Sequence, residues 1–474
     1  MAYRDLREFI SQLEKEGDLQ RIKAEVDWNL ELSHISKLND EKGGPALLFE
    51  NVKGYSTPVF CSALATPKRL AIALDLPRDL SVMGVAREWM HRTMQKKIPP
   101  VEVATGPCKE NIDKGDKVDL FKFPIPKYYK KDGGRYIGTT HAIISRSPES
   151  GWVNLGTHRM QILDKNHAGI WMIPGKHVQL HLKEYEKLGK PMPVAVAIGV
   201  DPTIFLCASA PFPPGESEYD YIGALRGLPV ETVKGETVDL PIPATAEVVL
   251  EGEVDPIALR DEGPYGEYSG YYQATFPKPF LKVNCVTYRN NPVHWGCTTG
   301  KPITDIHILQ ALNRTALLWT DLEKMGLPGI KGVYCPPETG GYFTAIISIK
   351  QLYAGHARQV GTAVVSCPSG AYSTKLVVIV DDDVDPSNLS QVWWAIGMKF
   401  QPDRGTDILK RGFSSHIDPS LPIEEKDTTS RMILDATTPF EWRNEKKPTL
   451  ITLDEEVVER VKRRWGEFFP SKTF

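Results

Sequence analysis

Two glutamates flank a tight turn in the run Glu262-Gly263-Pro264-Tyr265-Gly266-Glu267, and Tyr268, Tyr271 and Tyr272 follow closely. Glycine and proline specify the loop shape, and such a loop can carry both carboxylates to one cavity beside aromatic rings. Two carboxylates in a partly apolar pocket push one pKa up and leave an acid able to give a proton near neutral pH. The alternative is a solvated hairpin loop with surface charges. Upstream, Asn154-Leu155-Gly156-Thr157-His158-Arg159 sets an amide, an imidazole and a guanidinium into an apolar strand pattern. The planar fork of arginine grips a carboxylate or phosphate with paired hydrogen bonds. Positions five apart on a regular strand face opposite sides. Asn154 and Arg159 therefore share a site only if the alternation breaks, most easily near Gly156; otherwise this is an edge strand with one solvated face.

Weaker signals surround these. His177 and His181 stand at i, i+4, a possible metal pair, but the intervening Val178, Gln179 and Leu180 carry no HExxH glutamate. The ordinary reading of each is a capping or core histidine, unless something else recruits His177. Glu216 and Glu218 lie in a proline-rich loop, where acids are often solvated, and Asp381, Asp382 and Asp383 are either a metal cluster or a strand end. No GxGxxG, P-loop or GxSxG elbow is present, which removes support for Rossmann redox chemistry, nucleotide hydrolysis and α/β-hydrolase chemistry. The seven cysteines are scattered without a CxxC pair. Reduced thiols are the simplest reading. Cys297 near His294 could be a nucleophile, against the ordinary reading of a small core residue.

These residues need elements to position them. At about 150 residues per domain, the 474 residues suggest about three domains. Lys+Arg of 57 against Asp+Glu of 60 leaves −3, so no basic field exists for a nucleic-acid backbone. No apolar run approaches the roughly 18 residues that cross a bilayer, and the charged opening does not read as a signal peptide. No membrane or nucleic-acid partner is expected, and the expected location is cytoplasmic. An amphipathic helix opens the chain, with Leu6, Phe9, Ile10 and Leu13 on one face and Gly17 ending it. Linkers are predicted at 97–100 and 111–117. From 116 to 305 the pattern is mostly β, with strands at 141–145, 153–163, 194–200, 247–254 and 281–289 and one helix from His177. From 306 the pattern is α/β: a helix at 306–325, a strand at 376–380 buried on both faces, and a last helix capped by Asp454. The stripe Val457, Val458, Val461 and Trp465 on that helix must dock on something, a partner subunit among the candidates. The fold class is α+β multidomain.

Taken together, these stretches resemble the UbiD family of reversible, prenylated-FMN-dependent decarboxylases. The carrying residues run from Asn154 to Arg159, then Gly215-Glu216-Ser217-Glu218-Tyr219, Ala246 to Gly252, Glu262 to Glu267 with Gly270-Tyr271-Tyr272, Tyr353 to Ala357, and Val380 to Pro386, in the family's order. The opening residues and Leu434 to Pro439 look like hydroxyarylic-acid decarboxylases. The resemblance implies an N-terminal α/β domain (1–115), a central flavin-binding split β-barrel (116–305) and a C-terminal α/β oligomerisation domain (306–474) with a terminal dimerisation helix. It implies prenylated FMN as cofactor, with Asn154, Thr157, His158, Arg159, Lys176, His177, Glu218 and Lys375 contacting it. By motif, Asn154, His177 and Glu218 become Mn²⁺ ligands, a donor set chemically suited to that ion, and Ala208 and Ser209 match a K⁺ site.

The implied catalytic trio is Arg159, Glu262 and Glu267. Arg159 holds a carboxylate, Glu262 orients Arg159, and Glu267 protonates the carbon that loses CO₂ from a covalent prenylated-FMN adduct. The implied reaction is reversible, non-oxidative decarboxylation of an aromatic or heteroaromatic acid, with a hydroxybenzoate as first substrate guess. The implied partners are a small aromatic carboxylic acid, CO₂, a flavin prenyltransferase as cofactor supplier, and a second copy in a homodimer or higher homo-oligomer. A polyprenyl-hydroxybenzoate decarboxylase of quinone synthesis and a non-catalytic flavin-binding subunit are the alternatives. The cavity wall is expected to draw on His294, Trp295, Phe413 and His416.

Overall fold

The computed structural model describes residues 3–422, 428–442 and 448–469. Leu6–Lys15 forms the opening helix because Asp5 caps it and Leu6, Phe9, Ile10 and Leu13 bury one stripe. It packs beside a four-stranded sheet in the order Leu19–Ile22, Ala46–Phe49, Val59–Cys61, His294–Trp295. The last of these strands arrives from far along the chain and pairs in parallel with Val59–Cys61. His294 and Trp295 are thereby buried in the N-terminal sheet, and neither lines the cavity described below.

The central sheet runs in the order Tyr136–Gly138, Met160–Asp164, His167–Ile170, Phe280–Tyr288, Val248–Val254, Met192–Ile198, His141–Arg146, Val153–Gly156. Its two ends do not pair with each other, so it curls into a half-barrel. Period-two alternation divides its side chains between two cores. Along Met192–Ile198, Val194, Val196 and Ile198 enter one apolar cluster while Ala195 and Ala197 enter another. Residues 111–114, expected within a linker, instead form a ninth strand on the edge of Phe280–Tyr288. Three helices interrupt the strands where one was expected: His177–Lys187, Pro202–Ala208 and Glu218–Arg226.

The third region opens with the helix Asp305–Lys324, which buries Ile308, Leu312, Ala316 and Trp319. A five-stranded sheet follows in the order Ile330–Tyr334, Thr344–Ile349, Leu376–Asp381, Thr428–Ala436, Thr406–Phe413, parallel through its centre. Val377 to Val380 are buried, as a doubly covered strand requires. The helix Glu455–Arg463 starts where Asp454 accepts from the Val457 N–H, and none of its residues is buried.

Candidate active site

The alternation of the Asn154 strand does break after Gly156. Val153–Gly156 ends there and Met160–Asp164 begins the next strand. Residues 157–159 turn between them, held by Thr157 Oγ1, which donates to the His141 carbonyl at 2.9 Å. Asn154 and Arg159 can then both serve one cavity of about 340 Å³ between the half-barrel and the C-terminal region.

At one pole of this cavity Arg159 meets both glutamates. Its Nε and Nη2 donate to the two Glu262 oxygens at 2.9 and 2.8 Å, and its Nη1 donates to Glu267 Oε1. Glu262 is fully buried and Glu267 nearly so, which excludes the solvated-loop reading. Burial opposes the Arg159 charge, but Glu267 and Glu262 outweigh it and hold the guanidinium protonated. Its central carbon lies 3.9 Å from the Trp171 ring centroid and 4.8 Å from that of Tyr265. The Lys278 ammonium lies 4.1 Å from the same Trp171 ring.

The glutamate loop is fastened along its length. Gly263, at φ 101°, takes a backbone conformation that favours glycine. Its N–H donates to Gln161 Oε1 at 2.7 Å, the Gly133 N–H donates to the Pro264 carbonyl at 2.8 Å, and the Gly266 N–H donates to Asp132 Oδ1 at 2.9 Å. Burial pushes the Asp132 carboxyl up to about 6.

At the other pole three donors from separate elements meet. His177 opens one helix and Glu218 opens another, and both contact the strand that carries Asn154. His177 Nδ1 lies 2.9 Å from Asn154 Oδ1 and 3.9 Å from Glu218 Oε1. Glu218 is buried, with the Leu155 N–H on its Oε2 at 2.6 Å, and burial pushes its carboxyl up to about 8. A buried carboxylate without a positive partner, next to an imidazole and an amide oxygen, is a donor set a divalent cation would satisfy. Both helices also turn their N-termini toward this pole, which favours an anionic group such as a phosphate. Ala208 and Ser209 line the same cavity at the C-terminal end of Pro202–Ala208, and the negative end of a helix favours cations.

His158 and Lys176 line the cavity too. His158 Nδ1 donates to the Trp171 carbonyl at 3.2 Å, and burial lowers its imidazole to about 4. Desolvation, with Arg314 nearby, pulls the Lys176 ammonium down as well. Lys375 does not line the cavity. Its ammonium lies 2.9 Å from Asp418 Oδ1 and 3.0 Å from Ser420 Oγ, bracing the segment whose Ser415, His416 and Ile417 do. Of the expected wall, His416 is present, whereas Phe413 points to solvent at 61% exposure.

Several candidates fall away. His181 is buried with Nδ1 against Ser145 Oγ at 2.9 Å, a core histidine. Asp381 and Asp383 share Lys399 at the end of their strand. Cys297 is buried, and burial drives its thiol well above the usual range, so it is no nucleophile. No group of three or more His, Cys, Asp or Glu poised for a metal occurs among the described residues; Asn154 completes the set only as an amide.

Trp171 escaped the sequence reading, though a signal existed. Met160–Asp164 and His167–Ile170 form a hairpin with Met160 opposite Ile170. That register returns Trp171 to Arg159, and the Trp171 N–H donates to the Arg159 carbonyl at 3.1 Å.

Family models for the 3-octaprenyl-4-hydroxybenzoate carboxy-lyase UbiD match along most of the chain: the N-terminal domain over residues 10–89, the Rift-related domain over 100–302 and the C-terminal domain over 307–436. An uncharacterized protein of Archaeoglobus fulgidus is 36% identical, the match covering 98% of this chain and 99% of the relative. The vanillic acid decarboxylase of Sedimentibacter hydroxybenzoicus in closed form superposes with a TM-score of 0.89 at 33% identity, over 98% of this chain and 99% of that one. HmfF of Pelotomaculum thermopropionicum, a UbiD-class enzyme solved with FMN, superposes with a TM-score of 0.86 at 32% identity, over 96% and 98%. An evolved dimeric form of HmfF holds prFMN and superposes with a TM-score of 0.82 at 31% identity, over 96% and 100%.

Proposed function

Because the chain belongs to the UbiD family of carboxy-lyases, we propose that it removes CO₂ reversibly from an aromatic or heteroaromatic carboxylic acid. A hydroxybenzoate-like acid is the first substrate choice, and prenylated FMN occupies the cavity. The observation that carries this is the single buried guanidinium of Arg159 shared by Glu262 and Glu267 beside the cavity. A structural ion pair needs one carboxylate; a second one, open to a cavity, supports acid–base work.

Asn154, His177 and Glu218 would hold a Mn²⁺ ion against the flavin phosphate, with the two helix N-termini and Lys176 adding positive charge. Ala208 and Ser209 would offer oxygens to K⁺, and Thr157 and His158 would line the flavin's berth. An electron sink for the pair left behind by CO₂ is the chemistry prenylated FMN supplies when bound. Glu262 fixes the guanidinium from one side through a two-point contact. Nη1 is the remaining donor, and a substrate carboxylate competes with Glu267 for it. A carboxylate displaced from its guanidinium and set beside a second anion takes up a proton. Glu267 then delivers that proton to the carbon that has lost CO₂ and is replenished from water, so one proton is consumed per CO₂ released.

Glu267→Gln, made in protein co-expressed with a flavin prenyltransferase, tests this. Glutamine keeps the size but gives no proton at neutral pH. Turnover should fall by at least about 10²–10⁴-fold while the flavin absorbance persists. Near-normal CO₂ release by this variant would remove Glu267 from the mechanism and leave Glu262 as the better acid.

A further inference from the structure

The first turn of the helix Asp305–Lys324 touches all three regions of the chain. Asp305 accepts from the Leu64 N–H of the N-terminal region, and Ile306, Leu309 and Gln310 line the cavity. His307 reaches the loop that carries Glu267. His307 is fully buried, and its Nε2 lies 2.6 Å from the Tyr268 carbonyl, the residue directly after Glu267. The tautomer follows from the partners. The Thr304 N–H can only donate and meets Nδ1 at 3.1 Å, so Nδ1 accepts, while the Tyr268 carbonyl can only accept, so Nε2 carries the proton. Burial lowers this imidazole to about 4, which keeps it neutral above mildly acidic pH.

The turn it holds is small. The Glu267 N–H donates to the Tyr271 carbonyl and the Gly270 N–H donates to the Glu267 carbonyl, each at 2.9 Å. On the barrel side Asp132 fastens Gly266; on the other side His307 fastens Tyr268. Glu267 is suspended between these two anchors. The Tyr268 ring also packs edge-on against His307, with centroids 5.9 Å apart.

We infer that His307 is a positioning residue for Glu267: it sets the proton donor's height over the cavity according to how the C-terminal region is seated. This rests on the decarboxylase reading for its kinetic consequence, but not for the tether itself. A displacement of about 1 Å at such a group can cost about 10²-fold in rate. Glutamine at this third helical position is an ordinary capping-box residue; its carbonyl can accept from Thr304 and its amide can donate to Tyr268. Leucine can do neither.

The experiment compares His307→Leu and His307→Gln with the wild-type holoprotein in two readouts. Backbone hydrogen exchange over 267–271, followed by mass spectrometry, should accelerate in His307→Leu and return toward wild type in His307→Gln. With an acid that the wild type turns over, His307→Leu should lower kcat about 10²-fold, with KM changed by less than about threefold and flavin content unchanged, and His307→Gln should recover most of the loss. Wild-type exchange and wild-type kcat in His307→Leu would overturn the inference. Loss of flavin and of melting temperature together with activity, unrescued by His307→Gln, would overturn it too, as a folding role alone. If the wild type decarboxylates no aromatic acid, the proposed function fails, and the exchange readout still decides whether His307 holds the loop.

Discussion

At the residue scale, Arg159 is over-coordinated by design: two carboxylates and two aromatic rings surround a single charge. Trp171 is the contact with most to lose. A cation–π pair is worth about 0.5–2 kcal/mol, so Trp171→Leu should lower kcat/KM by about 2–30-fold, and Trp171→Phe by much less. Steady-state kinetics on the two variants checks this; equal activities would assign the guanidinium's orientation to Glu262 alone. Arg159, Glu262 and Glu267 were legible in the sequence because a glycine–proline turn and a short motif carry them. Trp171, Asp132 and His307 were not, because each acts through a contact that only strand register or helix docking creates. From its residue context alone Glu218 reads as weak, because it follows a proline-rich loop where acids are usually solvated, yet the chain buries it at the start of a helix.

At the scale of elements, periodicity decided what could be read. Leu6–Lys15 and Asp305–Lys324 show an apolar stripe and were placed within a residue or two. Pro202–Ala208 was missed because all seven of its residues are buried, so it has no polar face and no helical period. Residues 111–114 carry linker-like polar residues, but exposed and half-buried positions alternate as on an edge strand. Elements also meet at a cost. Asp40, on Glu31–Glu41, is buried. Burial, with Asp305 facing it, pushes its carboxyl up to about 8, against the smaller pull of Ser62, Arg69 and Lys37. The folded state therefore keeps a proton that the unfolded chain has released, and stability falls as pH climbs from the usual carboxylate range toward about 8. Asp40→Asn, which cannot ionise, should melt higher than wild type at pH 8, with the difference shrinking toward pH 5. Thermal melts at both pH values check it; a constant difference would show that Asp40 does not titrate in this range.

At the scale of the whole molecule, no helix among the described residues is long and apolar enough to cross a membrane. Apolar surface is also exposed at the C-terminal helices. Val457 is 40% exposed and Phe468 49% exposed, on helices with no buried residue, and Phe469, just after the last helix, is 45% exposed. An apolar stripe of this kind calls for a partner surface, and we propose that a second copy of the chain supplies it. Light scattering at micromolar concentration should give a dimer or a multiple of dimers, and Val461→Asp should shift it toward monomer; a wild-type monomer would contradict this. Decarboxylation is the property proposed for the assembled holoprotein. Its most direct test is headspace CO₂ released from a panel of hydroxylated benzoates and furan acids by protein carrying mature prenylated FMN. CO₂ and the decarboxylated ring are expected in equal amounts from at least one acid, and neither when plain FMN replaces the mature cofactor. Mature flavin bound, with no CO₂ from any acid, would contradict decarboxylation and leave a flavin carrier.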